Sequence, residues 1–294
     1  MVWSSLGMGA SLVGGLVYVR DENMEQAAEI NGKVLCDFHA HPTHRADLDT
    51  IMNGLSSPGL VGLAVKDIDQ SGKDILRYEQ ALDILPSGSF TEIDKGRLSR
   101  CGKGYFARTQ EIQVGIHHVL ALGWEGTDYF SNYETMKEAV DIIHSRKGIA
   151  ILNHPFALVV GAQVRLPNSE EEEKLIQKAY GFVDEVEVHN GYCIDLIPGL
   201  LAMKDANRKA EALRQTEFPK FTGTASSDCH RRWEQIKMMG IYIPQVQIEN
   251  GMDGIKNAIV KGDFTRLGDS EAGPYISRSS FLQGVLGDMY ALYR

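Results

Sequence analysis

The sequence predicts an α/β chain wound on a mainly parallel sheet. Short apolar runs alternate with amphipathic, helix-like segments, the pattern of repeated βα units. No internal repeat or low-complexity linker breaks the alternation. Residues of metal-binding type recur where apolar runs end: His39 and His41, Asp67 and Asp69, His154, Glu187, then Asp228 with His230. Barrel enzymes build their sites at the C-terminal ends of strands. So many strand ends carrying such residues are not separate accidents.

Val34 to Phe38 reads as a short buried strand entering His39, and Leu60 to Val65 as a second. Ser131 to Arg146 is the clearest helix. Ser131 and Glu134 have capping-box spacing, Met136, Ala139, Val140 and Ile143 share one face, and Gly148 is placed to end it. Ile149 to Leu152 is then a strand delivering His154. A second helix starts near Asn168 or Ser169, with Glu170 to Glu173 in its first turn, where the helix dipole favours negative charge. A solvated helix start is favoured there over a metal site. Val183 to Val188 is a strand ending at His189 and Asn190, and Leu200 to Leu213 is helical. Lys220 to Thr224 is a strand leading into Ser227, Asp228 and His230, and Met252 to Lys261 is a helix. In Ser279 to Tyr293, the residues Leu282, Val285, Leu286 and Met289 share a face that covers the chain's own core or a partner subunit. The organisation is therefore an apolar N-terminal segment (1–30), a main domain (31–270) and a C-terminal amphipathic helix (271–294).

A chain of 294 residues, 43% hydrophobic and 23% charged, buries a core without staples. Its four cysteines, Cys36, Cys101, Cys193 and Cys229, form no C-x-x-C pair, which points to a reducing, cytoplasmic compartment. A net charge of −9 disfavours charge-driven binding to nucleic acid or anionic membrane. A nucleotide substrate stays open, because bound cations reverse the field inside a pocket. The first 19 residues are uncharged, but Gly7, Gly9, Gly14 and Gly15 interrupt them. A packed or loosely ordered N-terminal segment is favoured over a membrane anchor.

Three motifs carry chemistry. In Asp37-Phe38-His39-Ala40-His41, strand alternation puts both imidazoles on one side, fit to hold Zn, Mn or Fe. Asp228-Cys229-His230 repeats the geometry with a carboxylate, and Cys229 points away as a small buried residue. In the run Gly148 to Phe156, His154 ends a very apolar strand and Pro155 turns the chain. His117 and His118 precede another apolar run, and only one of them can face a site.

These motifs, in the order H-x-H, Glu followed by H-V-L, A-x-L-x-H-P and S-D-x-H, resemble the polymerase and histidinol phosphatase (PHP) family. The likeness runs from about Val34 to Leu267, including the helix-plus-Lys-Gly at Met252 to Gly262. It implies a distorted (β/α)7 barrel holding two or three metals. It implies a first ion on His39, His41, Glu111 and Asp228, with Glu111 bridging to a second on His118 and His154. His230 would belong to the edge toward a third ion. His39, Glu111 and Asp228 would be catalytic, and the ions would lower the pKa of a water that attacks phosphorus. Two departures weaken the third site. Ala46 stands where the family has an Asp, with Asp47 one residue later, and Ile68 replaces a histidine in Lys66-Asp67-Ile68-Asp69. Lys66 is either a stand-in cation or a strand-end lysine. Glu187, His189 and Asn190 resemble a family strand end that shapes the pocket. Arg231 and Arg232, and also Arg45 and Arg108, are candidate phosphate contacts.

The favoured expectation is a phosphoesterase with two divalent ions, acting on a small phosphorylated substrate. An amidohydrolase also begins with H-x-H but ends on a lone Asp. A barrel with a degraded metal site acting as a binding or regulatory module is the non-enzymatic alternative. A homo-oligomer remains open.

Overall fold

The computed structural model describes residues 29–42, 48, 51, 59–66, 76–86, 88–160, 163–191, 204–229, 236 and 239–267. The expectations for the N-terminal segment and the C-terminal amphipathic helix lie outside these residues. Among the described residues, no helix is long and apolar enough to cross a membrane.

In chain order the first elements are β1 (Glu29–Ile30), β2 (Lys33–Ala40), β3 (Gly59–Lys66), α1 (Tyr78–Ile84), β4 (Phe90–Asp94), β5 (Leu98–Cys101), β6 (Gly104–Val114) and β7 (His117–Leu122). Next come α2 (Met136–Ser145), β8 (Ile149–Asn153), β9 (Leu158–Val160), β10 (Gln163–Arg165), α3 (Glu170–Tyr180), β11 (Glu185–Asn190) and α4 (Lys204–Glu217). The last are β12 (Thr224–Ser226), β13 (Ile241–Pro244), α5 (Gln245–Glu249), α6 (Gly251–Lys261) and β14 (Thr265–Arg266).

The main sheet runs β12-β11-β8-β7-β6-β3-β2 and continues through β13 to β14. Ala40 at the end of β2 makes a parallel bridge to Cys229, just past β12, and the His41 N–H donates to the Cys229 carbonyl at 2.8 Å. The sheet thereby returns on itself as a distorted barrel, the fold class the sequence predicts. The pairings β2–β3, β3–β6, β8–β11 and β11–β12 are parallel. Both pairings of β7 are antiparallel. β6 and β7 form a tight hairpin with no helix between them, which departs from a uniform βα repeat and proves important for the site.

Alternation along the strands sorts the core. One set, including Val34, Cys36, Phe38, Leu60, Tyr105, Leu120 and Ile151, clusters with Met252, Ile255, Ala258 and Ile259 of α6. This set faces inward, and α6 fills the apolar end of the barrel. The alternate set, including Val119, Ala121, Leu152, Val186 and Val188, packs beneath Val140 and Ile143 of α2 and Ile176 and Tyr180 of α3. Each bulky side chain buried this way contributes about 1.5–3 kcal/mol.

Three element boundaries differ from expectation. Helix α2 is capped by Thr135, whose hydroxyl accepts from the Glu138 N–H at 3.3 Å, and not by Ser131. Tyr133 is already committed to the sheet: its N–H donates to the Gln113 carbonyl at 3.2 Å, so the helix cannot begin earlier. At its far end Lys147 takes the left-handed conformation expected of Gly148. Residues 221–223 are irregular and not a strand, with Gly223 left-handed at φ 86°. The Thr222 and Gly223 N–H groups donate to the buried Glu185 carboxylate at 3.1 Å each. Burial, opposed by these hydrogen bonds, pushes the Glu185 pKa up to about 7.

Strand β14 is fastened to α4 by charge. Arg266 donates to Glu211 at 2.7 Å, and Arg214 donates to it at 2.6 and 3.1 Å. Partial burial raises the Glu211 pKa, but the two guanidiniums prevail and lower it from 4.5 to about 2. A carboxylate depressed on folding stabilises the native state above its unfolded pKa and loses that contribution as pH falls through the folded value. Glu211→Gln should therefore cost about 1–2 kcal/mol at pH 6, after discounting for partial exposure. Urea melts of both proteins at pH 6 and pH 3 check this, since the difference between them should shrink at the lower pH.

Candidate metal centre

The site lies at the barrel end opposite the apolar stopper, and two bulges aim its side chains. In β2 the inward set Val34, Cys36 and Phe38 would leave His39 and His41 facing outward under strict alternation. The register slips by one residue: Asp37 pairs Val61, but Ala40 pairs Leu63. The extra residue turns both histidines inward, as bulges re-aim side chains. Gly62 lies opposite, and a Cβ there would sit 2.4 Å from the Phe38 carbonyl oxygen. In β11 a second slip, with Glu187 against Thr224 and His189 against Ala225, brings Glu187 and Asn190 to the same side. Asn190 accordingly donates to the Glu187 carboxylate at 2.9 Å.

On β6 the inward set Tyr105 and Ala107 extends to Glu111, and on β7 the set Leu120 and Leu122 extends back to His118. Because β7 runs in reverse, its start and not its end reaches the site. Glu111 and His118 therefore meet, Oε1 to Nδ1 at 2.6 Å. Past β8 the chain turns at His154, whose φ of 25° is left-handed, and past β12 it turns at Asp228, φ 50°. Non-glycine residues held in this region cluster at functional sites.

The donor atoms converge. The Glu111 carboxylate lies 3.1 Å from His154 Nε2 and 3.5 Å from Nε2 of both His39 and His41. Asp228 Oδ1 lies 3.2 Å from His41 Nε2 and 3.5 Å from His39 Nε2. Three triads hold ligand atoms within 4.8 Å of one another: His39, His41, Glu111; Glu111, His118, His154; and His39, His154, Asp228. Tautomers can be read from the second nitrogens. His41 Nδ1 lies 2.7 Å from the Ala64 carbonyl and His154 Nδ1 lies 3.2 Å from that of Ala157. A carbonyl only accepts, so each Nδ1 carries the proton and each Nε2 turns a lone pair inward. This donor set fits a divalent cation of the Zn, Mn or Fe type.

The electrostatics agree. His39 and Glu111 are each only 1% exposed. Burial lowers the His39 pKa, but the Asp228 and Glu111 carboxylates outweigh it and hold the imidazole well above its ordinary range. His154 is raised in the same way, burial being outweighed by Glu111. A buried group of carboxylates draws positive charge, from protons or from cations. Behind β2, burial pushes Asp37 up to about 7 although Ser227 donates to it.

The structure thus brings together His39, His41, Glu111, His118, His154 and Asp228. His117 stays out of the cluster, and burial lowers its pKa to about 4. Asn190 is wholly buried and donates to Glu187 and Asp228, behind the ligand atoms. Lys66 pairs with Glu111 in the β3–β6 ladder, and its side chain lies outside the described residues. His230, Asp47, Ile68, Asp67, Asp69, Arg45, Arg231 and Arg232 also lie outside them. Arg108 is not a phosphate contact. It is 1% exposed, stacked 4.2 Å from the Trp124 ring centroid, with Nη2 donating to the Thr127 carbonyl at 2.7 Å. Sequence reasoning did not find Ser226 or the Asp37–Ser227 pair. A glycine inside the apolar run of β3 was the available signal for the bulge beside them.

No family model matches the chain, and no curated protein is similar to it. Among solved structures it resembles a two-domain protein from Bacteroides vulgatus containing a predicted PHP-like metal-dependent phosphoesterase. Identity is 16% and the TM-score 0.44, over 82% of this chain and 67% of that one. At that distance the functional reading rests on the side chains themselves.

Proposed function

We propose that the chain is a metal-dependent phosphoester hydrolase with two divalent ions. The observation that carries the metal reading is the sharing of Glu111 by two of the triads. One carboxylate between two groups of histidines is the donor pattern of a bridged pair of ions. His39, His41 and Asp228 would hold the first with Glu111, and His118 and His154 the second. When bound, such ions supply Lewis acidity toward a phosphoryl oxygen and make a water more acidic. The protein's own groups fix the geometry. The Ala64 and Ala157 carbonyls lock two imidazoles as Nε2 ligands. His39, Glu111 and Asp228, with His39 Nε2 3.5 Å from both carboxylates, are the proposed catalytic set.

Phosphate esters are favoured by the order of the motifs, which resembles the PHP family. The net charge of −9 favours a small phosphorylated substrate over nucleic acid. Arg231 and Arg232, immediately after the last motif, are the proposed phosphate contacts.

Protein prepared without chelator should carry two ions per chain and hydrolyse p-nitrophenyl phosphate. Chelation should abolish the activity, and Mn²⁺ or Zn²⁺ should restore it. Three stoichiometric ions would contradict the count that Ile68 implies. A loaded protein inert toward both phosphate mono- and diesters would defeat the hydrolase reading and leave the binding module.

A further inference from the structure

We infer that Glu187 is a positioning residue that orients one ligand from each half of the metal centre, His39 and His154. The inference rests on the metal reading above. Glu187 is 2% exposed and sits at the β11 bulge. Its Oε1 faces His39 Nδ1 at 3.5 Å and accepts from the Ser226 hydroxyl. Its Oε2 accepts from the His154 backbone N–H at 2.8 Å and from Asn190 Nδ2 at 2.9 Å.

The partner of His39 Nδ1 differs in kind from those of His41 and His154. His41 and His154 set their tautomers against backbone carbonyls. Among these three histidines, His39 alone turns Nδ1 to a carboxylate. That contact keeps the proton on Nδ1 and points Nε2 at Glu111 and Asp228, each 3.5 Å away. A carboxylate behind an imidazole also makes it a stronger ligand. The second oxygen acts on the backbone. His154 occupies a left-handed turn at φ 25°, a conformation disfavoured for a side-chain-bearing residue. The Glu187 carboxylate takes the N–H of that residue and so holds the turn that presents His154. One side chain therefore fixes a ring on β2 and a backbone turn after β8.

The test is zinc titration of the full chain with ¹⁵N-labelled histidine. In wild type loaded with Zn²⁺, the His39 Nδ1–H should be observed and protected from exchange. Glu187→Gln keeps the shape but places an amide N–H₂ among donors. It should weaken both zinc-binding steps about 10–100-fold, the usual cost of losing such a partner. It should also shift the His39 Nδ1–H resonance while leaving that of His41 in place. A merely structural role would move both resonances or neither. If Glu187→Gln binds both ions as tightly as wild type with an unchanged His39 signal, the inference falls and the metal reading stands. If wild type itself binds no stoichiometric zinc, the metal reading falls first. Should Glu187→Gln fail to fold, the wild-type resonance decides: a His39 Nδ1 without a proton, or one exchanging like an exposed imidazole, overturns the inference.

Discussion

Glu111→Gln should lose both proposed ions together, and with them the proposed hydrolase activity. The carboxylate stands 2.6 Å from His118, 3.1 Å from His154 and 3.5 Å from both His39 and His41. It is the only carboxylate that two of the three triads share, and the two proposed ions divide along those two triads. An amide keeps the volume but removes the charge and turns an N–H₂ toward nitrogen lone pairs. The substitution therefore weakens each ion's affinity by more than the roughly 10–100-fold seen when a supporting partner is lost. His118→Ala removes a ligand from the second triad only and should leave one ion bound. Metal analysis of the two variants after purification without chelator separates the outcomes. Full metal content in Glu111→Gln would show that the bridging carboxylate is another residue.

The parts of the site that the sequence exposes are those whose signal is local. His39 with His41, His154 before Pro155, and Asp228 each end an apolar run, and that suffices to place them at one end of a barrel. His118 was singled out of the pair His117–His118 by resemblance to the family. The structure supplies the physical reason: the β6–β7 hairpin reverses β7, so its first residues reach the end where other strands finish. Periodicity carries no sign of strand direction, so alternation alone predicts a mainly parallel sheet and does not reveal the reversed strand. The bulges are harder to read. Alternation alone sends His39 and His41 to one side but does not say which, and the answer depends on a one-residue slip against β3. The same holds for Glu187 and Asn190, three residues apart yet joined at 2.9 Å only because β11 slips. Ser169 caps α3 as expected, but the start of α2 differs for a tertiary reason. Ser131 has the right spacing, but Tyr133 is taken up by the sheet edge, and that contact is invisible to a local rule.

The second large effect should come from a residue that offers no ligand atom. Gly62→Ala is expected to cost about 1–3 kcal/mol as an overpacked core substitution and to lower metal occupancy as well. A Cβ at this position would approach the Phe38 carbonyl oxygen at 2.4 Å, its carbon at 2.7 Å and Cα at 2.8 Å. These are backbone atoms, so no rotamer change relieves the clash. The cheapest escape moves the β2 backbone away from β3 at the bulge that turns His39 and His41 inward. Both histidines would then leave the positions from which they meet Glu111 and Asp228. A destabilised barrel could shed metal for general reasons, so a matched control is needed. Leu60→Ala truncates an inward residue of the same strand, two positions earlier and away from the bulge. Its cost is about 2–5 kcal/mol as a cavity substitution, at least as large. It should keep its ions, whereas Gly62→Ala should lose the one held by His39 and His41. Thermal unfolding and zinc titration on both variants make the comparison. Equal metal affinity in the two would mean that the bulge absorbs the added methyl without turning either histidine, and that the aim of His39 and His41 does not depend on the missing side chain at Gly62.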